Sequence, residues 1–257
     1  MLPEREDHAG IDSPQDQGML TDRPLLRMGA VSIVLGTLIS NVAGFFHGGG
    51  AHPEDLAATL PVYAANWEVV HLAQFVGDAL LLVGFLALYR SIVAGAGTGA
   101  SAALARMGFV IAVVAEGVYA INQAVDGIAN KFVAQQWVNA APDEKAVAFR
   151  VADAVRHVEI GTSSLWVLNI GLALLFFGLA MVLGRAYPRL LGWAAIAIGV
   201  GLFANALNVA YNGFAFGSPL GMVGLAASVL LTLWTLILAF YLWRKAGGSG
   251  RHVRPQP

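Results

Sequence analysis

Six stretches of mostly apolar residues, 25–46, 67–88, 104–125, 160–183, 190–211 and 220–243, constrain this chain more than any other feature. A helix rising about 1.5 Å per residue needs roughly 20 such residues to cross the hydrocarbon core of a bilayer, and each stretch meets that length. Strands of a membrane barrel would alternate in polarity over about 10 residues, whereas runs such as 80–88 and 229–242 are continuously apolar. With 57% hydrophobic and only 12% charged residues, the chain also carries too few charges to coat a soluble fold. The expected fold is therefore an all-α membrane protein, a six-transmembrane-helix bundle in the lipid bilayer.

Residues 25–243 form the expected transmembrane domain. Residues 1–24 hold six acids and two arginines, lack the basic start and apolar core of a cleaved signal peptide, and read as a disordered tail. Residues 244–257, with Gly-Gly-Ser-Gly followed by basic and imidazole side chains, read as a second flexible tail. Lys and Arg divide eleven to four between the two faces, and the four (Lys131, Lys145, Arg150, Arg156) all lie in the segment joining spans 3 and 4. Because basic residues mark the cytoplasmic ends of spans, both termini are expected in the cytoplasm. On the outer side, Pro53-Glu54-Asp55 precedes an apolar helical pattern, and Ile128/Phe132 and Val133/Trp137 repeat at one turn before Ala141-Pro142-Asp143-Glu144. Short helices are expected in these outer 1–2 and 3–4 loops, the second of them leading into span 4.

Several chemistries are excluded. A net charge of −1 without a clustered basic face argues against nucleic acid, and zero cysteines remove disulfides, thiolate metal sites and thiol catalysis. His47-Gly48-Gly49-Gly50 has no accompanying G-x-S-x-G nucleophile elbow, and Gly95-Ala96-Gly97-Thr98-Gly99 lacks the strand and lysine of a phosphate loop.

From span 2 onward, residues 80–90 (LLLVGFLALYR), Arg106-Met107-Gly108-Phe109 and 171–192 (GLALLFFGLAMVLGRAYPRLLG) stand out, with Phe176-Phe177-Gly178 followed by Arg185, Pro188-Arg189 and Gly192 the most specific. In these residues the chain resembles an uncharacterised bacterial six-helix integral membrane family, a domain of unknown function. The resemblance implies a multi-pass protein of the bacterial cytoplasmic membrane and carries no activity with it.

Two carboxylates lie where an ionised group is costly. Asp78 and Glu116 each sit roughly 15 Å below the outer ends of spans 2 and 3 at about 1.5 Å per residue, and insertion scales charge about 2.5–3.5 kcal/mol for such placement. No Lys, Arg or His shares their depth, so a shared proton, two protons or a bound cation must neutralise the pair. Asn169, Asn205 and Asn208 are expected to complete a polar ligand- or proton-binding layer inside the bundle, with simple interhelical hydrogen bonding as the alternative use. Nearer the outer mouth His47, His52, Glu68, His71, Asp126, His157 and Glu159 cluster. Glu68-x-x-His71 shares one helix face, and with His157 and Glu159 these residues form a candidate divalent metal site of zinc or iron type, against the alternative that they are solvated interfacial groups.

Span 1 carries Ser32, Gly36, Ser40 and Gly44 at four-residue spacing, and span 6 carries Gly224, Ser228 and Thr232. Small faces of this kind pack helices closely in lipid; they are expected either to close span 1 on span 6 or to form a homodimer seam. Three functions remain open: a proton- or cation-linked small-solute transporter or sensor using Asp78 and Glu116, a noncatalytic subunit whose outer cap binds a partner, and a metal-dependent intramembrane enzyme.

Overall fold

The computed structural model describes residues 14–47, 55–65, 67–96 and 99–247, so His8, His52, His252 and the glycines at 48–50 lie outside the described residues. Backbone groups in hydrocarbon must find partners within their own segment, which leaves helices as the solution for apolar runs of this length. Six long apolar helices form: α1 (Pro14–Phe45), α3 (Trp67–Ala96), α4 (Ala100–Gln123), α6 (Lys145–Leu183), α7 (Arg189–Asn212) and α8 (Pro219–Gly247). A short α2 (Leu56–Tyr63) and an α5 (Asn130–Asn139) complete the element order, and no strand occurs among the described residues.

The faces turned outward are apolar. Val34, Leu38 and Val42 of α1, Val110, Val113 and Val114 of α4, and Val229, Leu233 and Ile237 of α8 are all exposed, while Thr37, His71, Asn122, Gln123, Asp126, Arg156 and Glu159 are buried. Such an arrangement inverts the pattern of a water-soluble protein and is stable only where lipid covers the outside. The chain is thus built as a multi-pass membrane protein.

Each long helix packs on its neighbour in the chain, and α8 returns to α1, so the order around the ring is α1, α3, α4, α6, α7, α8. Short connections between antiparallel helices favour this sequential ring. The small residues of α1 do not face α8. A Cβ on Gly36 would lie 2.4 Å from the Gly77 carbonyl oxygen, and one on Gly77 would lie 2.2 Å from Ser40 Oγ, so this face is spent against α3. Gly224 is likewise occupied within the chain, by Asn205 of α7, whose Cγ would be 2.2 Å from an added Cβ. The expected small-residue zipper between span 1 and span 6 is replaced by these internal contacts, in which glycine meets glycine on α3 and permits close backbone approach. Helices α1 and α8 also pack on each other, with Thr37 Oγ1 and Thr235 Oγ1 3.4 Å apart, and leave an apolar groove lined by Leu35, Leu236 and Phe240 on the outside of the ring.

Two expected boundaries also move. Helix α1 begins at Pro14, inside the segment expected as a tail, and Asp22 is held by Arg90 Nη2 at 3.1 Å from both carboxylate oxygens. In place of a separate helix in the 3–4 loop, α4 continues through a π-helical turn (Ala124–Ala129) directly into α5, and α6 starts only a few residues later at Lys145. The short α2 starts on Asp55, whose Oδ1 accepts from the Ala58 N–H at 3.2 Å, an N-cap. It packs Leu60 and Tyr63 with Trp67, Ala134 and Ala152, covering one end of the ring, here termed the cap end. The other end carries Arg90, Arg185, Arg189 and Arg244.

Candidate functional site

A ring of six helices with polar side chains pointing inward leaves space along its axis. Two chambers, of about 330 and 280 Å³, occupy it in series and share the wall residues Gln74, Tyr119, Trp166, Ile170, Ser228 and Leu231. Their size falls near the small end of ligand pockets. The first lies at the cap end, beside His47, Tyr63, Asp126, Arg156, Glu159 and Phe214. The second lies deeper, beside Thr37, Ser40, Asn41, Asp78, Glu116 and Thr235. Tyr119 and Trp166 stack at 4.3 Å between ring centroids at the boundary between them.

Two polar stripes build the walls. On α3, His71, Gln74 and Asp78 follow one another at three- and four-residue spacing; on α4, Glu116, Tyr119, Gln123 and Asp126 do the same. Such spacing keeps each set on one helix face. Asp78 and Glu116 therefore line the same deeper chamber, in whose wall no Lys, Arg or His is found among the described residues. Ser40 Oγ donates to Asp78 Oδ1 at 3.2 Å, whereas the buried Glu116 Oε1 meets no protein donor. Gln123 Oε1 and Asn205 Oδ1, both beside the upper chamber, are also buried without a protein partner. Orphaned oxygens around a cavity are where a ligand, ion or water is expected to bind.

At the cap end the π-helical turn adds a residue to the helix and carries Asp126 inward. Gly127 in that turn lies so close to His71 that a Cβ there would be 2.4 Å from His71 Cβ. Asp126 Oδ1 accepts from Trp67 Nε1–H at 3.0 Å, leaving Oδ2 2.9 Å from His71 Nε2. His71 Nδ1 lies 2.8 Å from the Trp67 carbonyl oxygen, and His47 Nε2 lies 3.2 Å from His71 Nε2. Both imidazoles pack against the Trp67 ring, at 4.5 Å for His47 and 4.7 Å for His71. Burial pushes the His47 imidazole below its ordinary range, with the Asp126 carboxylate acting in the opposite direction.

Beside this group stands an ion pair. Arg156 Nη1 donates to both oxygens of Glu159, at 2.8 and 2.9 Å, and also to the Tyr63 hydroxyl. Burial and the Glu159 charge push the Tyr63 phenol up, so it stays protonated. Asn130 Nδ2 links the two clusters, donating to Glu159 Oε2 at 2.6 Å and lying 3.5 Å from Asp126 Oδ1.

The candidate metal ligands read from the sequence are dispersed by the fold. Glu68 pairs with Lys131, Glu159 pairs with Arg156, and the exposed His157 donates Nδ1–H to the Asp153 carbonyl oxygen of its own helix at 2.8 Å. Of that set only His71 enters a group of three ligand atoms, and its companions are His47 and Asp126. The reason is angular: Glu68 and His71 share a face only loosely, and the half of it that points inward is taken by His71. Among the asparagines, Asn205 lines the upper chamber. Asn169 donates to the Leu165 carbonyl at 2.7 Å on its own helix, and Asn208 Oδ1 accepts from Asn212 and Ser218 at 3.1 and 3.0 Å, tying down the α7–α8 connection. Gln74, Tyr119 and Gln123 enter the site without having been singled out, although their three- and four-residue spacing from Asp78 and Glu116 was a usable signal.

Fold and site together define a class: a six-helix membrane bundle enclosing a two-chambered polar cavity with an acidic floor and a histidine-bearing mouth. Comparison with family models, with curated proteins and with solved structures returned no match.

Proposed function

We propose that this protein is a proton- or cation-linked membrane transporter or sensor for a small polar solute, with the cap end facing outward and both termini in the cytoplasm. The solute enters the upper chamber from the cap end, and Asp78 with Glu116 in the deeper chamber binds the coupling proton or cation. One observation carries this reading: two carboxyl groups from neighbouring helices line a single chamber with no basic side chain in its wall among the described residues. In a low-dielectric setting that pair requires neutralising, and a proton or small cation supplies the charge most simply. The orientation rests on the arginines gathered at the far end. A purely partner-binding subunit needs its internal polar groups satisfied by one another; the unpartnered oxygens of Glu116, Gln123 and Asn205 go beyond that requirement.

A hydrophobic carbodiimide tests it, because the reagent adds to a protonated carboxyl within an apolar environment and the adduct is located by mass spectrometry. In membranes, labelling is expected on Asp78 or Glu116, to disappear in Asp78→Asn/Glu116→Gln, and to be suppressed when sodium, potassium or a higher pH displaces the proton. Absence of labelling at both positions, or labelling indifferent to cations and pH, sinks the proposal.

A further inference from the structure

The chemistry at the mouth is separate from the acidic floor and does not depend on it. A carbonyl oxygen can only accept, so the 2.8 Å contact between Trp67 O and His71 Nδ1 means that Nδ1 carries the hydrogen and donates it. The other ring nitrogen, Nε2, faces Asp126 Oδ2 at 2.9 Å and His47 Nε2 at 3.2 Å, while His47 Nε2 and Asp126 Oδ2 are 4.0 Å apart. These three atoms converge only with a positive species among them, either a proton on His71 Nε2 shared with Asp126 or a metal ion in its place. A point about 2.0 Å from each of the three atoms, the length of a zinc–imidazole or zinc–carboxylate bond, lies in their plane, and a tetrahedral ion needs His47 Nε2 and Asp126 Oδ2 to close from 4.0 Å by about 0.7 Å.

We infer that His47, His71 and Asp126 form a binding site for a zinc-class divalent transition metal at the mouth of the upper chamber. Two imidazoles with one carboxylate are a borderline-soft donor set, suited to zinc, iron(II) or their neighbours rather than to magnesium or calcium. The supporting shell is in place. Trp67 orients two of the three ligands at once, by its carbonyl on His71 and its indole N–H on Asp126, and its ring backs both imidazoles. Outer partners of this kind fix the tautomer and raise ligand basicity. Gly127 removes the one Cβ that would hold His71 away. Three protein ligands leave a fourth position, as in zinc sites that bind water or substrate. His47 and Asp126 both line the upper chamber, so that position opens toward it, where an oxygen donor of a small solute can coordinate.

The test uses the full-length protein purified in detergent, stripped with a chelator, equilibrated with zinc or cobalt(II) and desalted before elemental analysis. About one metal per chain is expected, with the visible absorption of low-coordinate cobalt(II). His71→Ala and Asp126→Asn are expected to weaken binding at least about 100-fold. Because both positions are buried, His47→Ala, in a half-exposed connection, provides a variant that folds and is expected to lose the cobalt spectrum too. Glu68→Gln and His157→Ala are expected to retain the metal. So is Asp78→Asn/Glu116→Gln, which separates this site from the acidic floor: a metal lost only in that double variant, or unaffected by His47→Ala and His71→Ala, or absent from the unmodified protein, overturns the inference while leaving carbodiimide labelling to judge the floor independently.

Discussion

Arg156→Met is expected to destabilise the folded bundle by about 3–5 kcal/mol, the range for removing one member of a buried ion pair. The side chains of Arg156 and Glu159 are only 6% and 3% exposed, and the guanidinium satisfies both oxygens of the carboxylate while resting 4.5 Å from the Phe214 ring centroid. Without it, Glu159 keeps the Asn130 amide and no opposite charge at bonding distance. At about 2–4 °C per kcal/mol for a chain of this size, the thermal midpoint in detergent should fall by roughly 6–20 °C. Replacing both residues with methionine should restore most of the loss, since an apolar pair of similar volume asks for no desolvation. A single variant that melts with the unmodified protein would mean that the upper chamber solvates Glu159 well enough to hold its charge without Arg156.

The second large effect lies at the α6–α7 seam, where glycines meet in reciprocal pairs. A Cβ on Gly178 would come 2.7 Å from the Gly192 carbonyl oxygen, and one on Gly192 would come 2.8 Å from the Gly178 carbonyl oxygen; Gly171 and Gly199 repeat the arrangement at 2.9 and 2.7 Å. Backbone oxygens cannot rotate out of the way as side chains can, so a larger residue must separate the helices. Gly192→Val should therefore cost about 1–3 kcal/mol by overpacking, and Gly178→Val/Gly192→Val more than either alone, with loss of monodisperse protein on size-exclusion chromatography. Gly161→Ala on the same helix is the control. Nothing lies within 4 Å of its added Cβ, and exchanging glycine for alanine within a helix should raise stability by about 0.5–1 kcal/mol. Equal tolerance at positions 161 and 192 would show that the seam does not hold the bundle together.

The spans were legible because their cause is local. Length and apolarity measured against the thickness of a bilayer select helices with no knowledge of neighbours, and the one-face spacing of His71, Gln74 and Asp78 on α3 and of Glu116, Tyr119 and Gln123 on α4 is written in the order of residues. Where those helices run past the apolar stretch, one-turn repeats such as Val133/Trp137 still indicate a short helix, but not that it continues from α4 without a break. That continuity depends on α2 and α6 packing on α5 and on Asn130, Lys131 and Gln135 finding partners in Glu159, Glu68 and the Ala64 carbonyl.

Which inward residues meet was beyond the sequence's reach. The stripes on α3 and α4 say that acids face a common interior, but the partner of each mouth residue depends on the angle at which four helices present themselves, and a single π-helical turn rotates Asp126 by about one residue's worth, roughly 100°. That rotation places Asp126 on His71 and leaves Glu68 and Glu159 to Lys131 and Arg156. The chain's composition thus determined that it lies in lipid as six helices around a polar interior, because burial in hydrocarbon acts on each segment separately. Only the packing of those segments decided which small faces seal against each other and which three ligand atoms converge, because contacts between residues distant in sequence are set by the geometry of whole helices.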